Sequence, residues 1–138
     1  MSEKKIKHLE FIHNTINRMS TNSFIVKGWT VTLISALFVF AQKDSNTTYA
    51  ILTYIAVPIF WYLNAFFLLQ ERRYRSLYND VRLIDENSID FSMDAKRYNS
   101  GRNTIIECLK AKTIWPIYCL MLLIPLGIFL CENSSKYF

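Results

Sequence analysis

Three blocks of apolar sequence decide what this chain can become. Residues 24–41 carry one charge, Lys27, and residues 49–69 and 114–131 carry none. A helix needs about 20 mostly apolar residues to cross a hydrocarbon core about 30 Å thick. Each block fits that length. A water-soluble chain of 138 residues would divide its 51% apolar content into short periodic runs. The blocks therefore read as three transmembrane helices of an all-α integral membrane protein. For the first block, a buried helix of a soluble domain is the alternative. The residues ahead of it are polar and lack the short apolar run and small-residue cleavage site of a signal peptide. The first span thus reads as a retained anchor.

Charge sets the expected topology. Of the 16 Lys and Arg residues, all but Lys43 and Lys136 fall in 1–27 and 70–113. Lys and Arg close to the spans mark the cytosolic side. The N-terminus and the long internal segment are thus expected inside, and the C-terminus outside, a bacterial inner membrane. The expected parts are a cytosolic amphipathic helix, 1–22, and a transmembrane helical hairpin, 23–70, with spans at 24–41 and 49–69. A cytosolic helix and loop, 71–113, a third span, 114–131, and an external tail, 132–138, follow. The net charge of +5 is largely topological and calls for no nucleic-acid ligand.

Within this frame Ile6, Leu9, Ile12, Ile16 and Met19 recur on one helical face, with Lys4, Lys5, Lys7, Glu10 and Arg18 on others. Residues 3–22 either continue the first span or lie on the surface. Tyr74, Leu77, Tyr78, Val81 and Ile84 extend the second span as another stripe. Residues 86–103 read as a loop with Phe91 and Met93 as docking residues, and 104–112 as a short helix. Tyr74, Leu77 and Tyr78 join Phe91 and Met93 as candidates for docking a soluble cytosolic partner.

Two intramembrane polar groups stand out. Lys27 lies one turn inside the cytosolic end of the first span, where a lysine can snorkel to the headgroups. Asn64 lies at a similar expected depth in the second span. Antiparallel packing would bring Lys27 and Asn64 together as a polar cluster or pore lining, with Gly28 allowing close helix approach. Arg72, Arg73 and Arg75 mark the membrane exit. They suit lipid headgroups or an anionic ligand, since arginine favours bidentate phosphate contacts.

No catalytic constellation is legible. His8 and His13 are five apart on a polar stretch and read as solvated surface. Cys108, Cys119 and Cys131 have no metal or redox spacing and read as small apolar filler. No carboxylate or histidine lies within a span, so an ion-coupled carrier lacks its usual marker. Neither enzyme activity, a metal nor a cofactor is expected.

Two segments carry a resemblance. The first comprises Asn17-Arg18-Met19, Asn22-Ser23-Phe24 and Lys27-Gly28-Trp29. The second comprises Glu71-Arg72, Tyr74-Arg75, Leu77-Tyr78 and Val81. Together they resemble a group of small, mostly uncharacterised bacterial multi-span membrane proteins over about the first 95 residues. That group is similar to the transmembrane effectors and accessory subunits of bacterial antiviral defence loci, such as those beside some CRISPR and RADAR systems. The resemblance implies a setting and carries no catalytic residues. The expected function is an oligomeric membrane effector or pore subunit triggered from the cytosolic side. The alternative is a non-catalytic anchor or regulatory subunit that recruits a soluble partner through 70–113.

Overall fold

The computed structural model describes residues 2–44 and 47–135, and side chains for 2–43 and 48–127. The described residues are all-α, 83% helical. Helix α1 runs Glu3–Asp44 and α2 runs Thr47–Leu83. A short α3, Ile105–Leu109, and α4, Trp115–Ser135, follow, with 3-10 turns at Glu86–Ser88 and Gly101–Asn103. Ser45, Asn46 and the tail residues 136–138, expected to be external, lie outside the described residues.

Helix α1 settles whether 3–22 continue the first apolar block: one helix of 42 residues holds both. At about 1.5 Å per residue it is about 63 Å long. That is roughly twice the thickness of a bilayer core, so α1 has an apolar half and a charged half. Both α1 and α2 are long and apolar enough to cross a membrane, and Trp115–Gly127 forms a shorter apolar stretch. Helix α2 continues through Pro58, and α4 through Pro125.

The two long helices pair antiparallel along their whole length. The register is fixed by Ser2 against Glu86, Lys5 against Ile84, Ser23 against Asn64 and Phe40 stacked on Tyr49. In the charged half, Leu9, Ile12 and Ile16 bury against Leu77, Val81 and Ala95, with Tyr74, Tyr78, Met93 and Tyr98 packed around them. In the apolar half, Ile34, Val57, Ile114 and Tyr118 form the contact that seats α4. Threonines at apolar positions return their hydroxyls to their own helix: Thr30 donates to the Val26 carbonyl, Thr32 to Gly28 and Thr53 to Tyr49. Each bond gives the hydroxyl a partner within its own helix.

The segment after α2 departs from a loose loop. Asp90 accepts from the Ser92 amide, Ser92 from Asp94 and Asp94 from Lys96, a run of side-chain turns that orders the chain. Its end is tied back: Tyr98 donates to Asp80 at 2.6 Å, Arg73 to Asn99 at 2.6 Å, and Asn103 to Ser76 at 3.0 Å. The segment forms a strap along the charged half. The helix expected over 104–112 is shorter. Thr104 caps its start through the Glu107 amide, and beyond Leu109 the chain turns, with the Leu109 carbonyl taken by the Trp61 indole at 3.1 Å.

Lys5 corrects the expected polar face. It is 6% exposed, while Ile6 is half exposed. Its ammonium donates to the Arg82 carbonyl at 3.2 Å and the Ile84 carbonyl at 2.7 Å. Those carbonyls close α2, where a cation complements the helix dipole and the unpaired acceptors. Lys5→Met is expected to destabilise the charged half by about 1–2 kcal/mol. Faster proteolysis within 84–100, with the apolar half unchanged, is the readout.

Candidate functional site: a sealed polar core, an open helix face and a groove in the charged half

Asn64 sits fully buried where α1, α2 and α4 meet. It accepts from the Ser23 hydroxyl and donates to the Tyr118 hydroxyl at 3.1 Å. Tyr118 in turn stacks on Trp61, ring centroids 5.9 Å apart and nearly parallel. The partners of Asn64 are therefore Ser23 and Tyr118 rather than Lys27, which lies one turn further along α1 and is half-buried. Sequence reasoning missed Ser23 and Tyr118. Ser23 lies one residue ahead of the first apolar block and Tyr118 within the third, and neither position carries a local sign of its partner. Their signal is visible only once α4 is placed.

Gly28 does not serve close approach within the chain. A Cβ built on it meets nothing within 4 Å. Gly28, Thr32, Ser35 and Ala36 are all exposed, and their spacing places them on one face of α1. The polar side chains buried in the apolar half, Ser23, Thr30, Thr53 and Asn64, face inward. The surface there is apolar instead: Phe24, Trp29, Val39, Ile55, Ile59 and Leu123 are among its exposed residues.

The three arginines divide. Arg72 donates to the Arg102 carbonyl at 2.8 Å and contacts the Cys108 sulfur at 3.5 Å. Arg73 holds Asn99, and Arg75 pairs with Glu71 at 2.9 Å. Two of the three thus fasten the strap to α2. Cys108 is fully buried, and desolvation pushes its thiol pKa up against the opposing pull of Arg72. Among the described residues no three His, Cys, Asp or Glu side chains gather as a metal-binding group.

Of the docking candidates, Leu77 is buried, and Tyr74, Tyr78 and Met93 pack on the core of the charged half. Phe91 remains open, at a left-handed φ of 55° that a bulky side chain rarely adopts. With Phe11, which is 64% exposed, it flanks a groove of about 660 Å³ lined also by Lys4, Lys7, His8 and Met93. Sequence reasoning missed Phe11 and Lys4 here because the strap that forms the far wall has no periodic pattern.

His8 corrects its expected solvation. It is buried edge-on against Phe91, centroids 5.5 Å apart, and its Nε2 has no hydrogen-bond partner among the described residues. Burial lowers its pKa from 6.5, with Asp90 opposing. The unfolded chain therefore takes up the proton first as pH falls, and the contribution of His8 is lost on acidification through 6.5. Glu86, whose pKa is lowered from 4.5 by the N-terminus, stays charged in that window. Amide exchange within 84–98 is expected to speed up between about pH 7.5 and 5.5, and His8→Phe is expected to flatten the response.

No family model, curated protein or solved structure matches the chain.

Proposed function

We propose that the chain is a three-span inner-membrane protein whose copies associate through α1 into an oligomeric effector. This effector perturbs the membrane when triggered from the cytosolic side. The inverted surface supports the membrane reading: large apolar side chains point outward while Ser23, Thr30, Thr53 and Asn64 point inward. In water such an exposed apolar surface would be costly at about 25 cal/mol per Å². In lipid it costs nothing, and the inward polar groups act as glue. The positive-inside pattern supports a cytosolic N-terminus. The setting in antiviral defence rests on the resemblance of the Asn17–Trp29 and Glu71–Val81 motifs.

The observation that carries the oligomer is the uncovered face of Gly28, Thr32, Ser35 and Ala36. Small residues four apart let membrane helices approach closely. Three helices cannot enclose a pore, so conduction requires several copies. Lys27, beside this face, is the one charge in the first two spans and would ring such a path. Two measurements test the proposal: the mass of the detergent-extracted protein, and ion leakage from liposomes against empty controls. A strict monomer with tight liposomes would sink it.

A second reading, a membrane anchor for a soluble partner, is favoured by the groove between Phe11 and Phe91. Capture of a stoichiometric cytosolic protein by the full chain, lost on Phe11→Ala with Phe91→Ala, would support it.

A further inference from the structure

A second crevice lies where α2, α3 and the start of α4 converge. It encloses about 580 Å³ and is lined by Pro58, Trp61, Ile106, Leu109 and Trp115, with Lys110 its one charged residue. The volume falls in the range of small-molecule sites, about 300–1,000 Å³. Its back wall is fixed, because the Trp61 indole is held by the Leu109 carbonyl and stacked on Tyr118. Its depth is set by sequence: Pro58 lies inside the second apolar block, and Lys110 just ahead of the third. The crevice thus runs from the charged segment into the apolar half.

We infer that this crevice binds one acyl chain of an anionic inner-leaflet phospholipid, with Lys110 on the headgroup phosphate. The inference rests on the membrane reading proposed above. An apolar slot alone would take any acyl chain. The single cation among its lining residues selects an anionic headgroup, and Trp115, at the start of the third apolar block, suits the boundary between headgroups and chains. Lys112, two residues on, does not line the crevice.

The chain has three tryptophans, two of which line the crevice. The third, Trp29, is exposed on α1. Trp29→Phe therefore leaves fluorescence that reports the crevice. The protein is reconstituted with acyl-chain-brominated phosphatidylglycerol or phosphatidylcholine diluted in unbrominated phosphatidylcholine. Quenching by phosphatidylglycerol is expected to half-saturate at an about fivefold lower mole fraction, the effect of about 1 kcal/mol from one lysine at the surface. Lys110→Gln should remove the difference, while Lys112→Gln should keep it. Superimposed curves for the two lipids would overturn the site and leave the membrane reading standing. A preference lost equally in both lysine variants would also overturn the site. No quenching by either lipid would overturn both.

Discussion

Replacing Gly28 with isoleucine is expected to yield a folded protein that no longer self-associates. Two effects separate cleanly at this position. Within the chain, a Cβ at Gly28 meets open space and the position is exposed, so a larger side chain has room to point outward. Glycine inside a helix also costs about 0.5–1 kcal/mol relative to better helix formers, so helicity should hold or improve. Between copies, the branched side chain would stand between two α1 backbones and prevent close approach. A loss of packing worth about 3 kcal/mol would weaken association about a hundredfold. Cross-linking and native mass in detergent would show a shift to monomer, circular dichroism an unchanged helix content, and liposomes a loss of leakage. An oligomer that survives Gly28→Ile would move the interface away from this face and leave Lys27 without a ring to form.

How much of this was legible beforehand depends on what each residue answers to. Leu9, Ile12, Ile16, Leu77 and Val81 were readable because burial in a helix pair imposes a 3.6-residue period. Lys5 broke that pattern because its partner is a helix end, not a side chain, and the end of α2 has no sequence signature at Leu83. The strap stayed illegible for a related reason. Its order comes from alternating Asp and Ser turns and from Arg72 and Arg73, whose sequence reads as a membrane-exit cluster. That Asn64 lies on a helix paired with α1 was readable from its block, yet its partners depended on where α4 docks, which no local pattern encodes.

That docking makes Asn64→Ala the most damaging single change expected in the apolar half. The substitution removes the acceptor for Ser23 and the donor to Tyr118, and it opens a hole between three helices. Hydrogen bonds between membrane helices contribute modestly, up to about 2 kcal/mol each, because unfolded helices in lipid also find partners. Adding the cavity brings the expected loss to about 2–3 kcal/mol. For a chain of this size that lowers the Tm in detergent by about 10 °C. Asn64→Leu refills the space and should lose less. Lys27→Ala, half-buried and outside this network, should leave the Tm nearly unchanged and alter leakage instead. The pair of readouts divides the two roles that the sequence had joined. If Asn64→Leu abolished leakage at an unchanged Tm, Asn64 would line a path rather than bind Ser23 and Tyr118. If it lowered the Tm and left leakage per oligomer intact, the conducting surface would belong to the Lys27 face of α1.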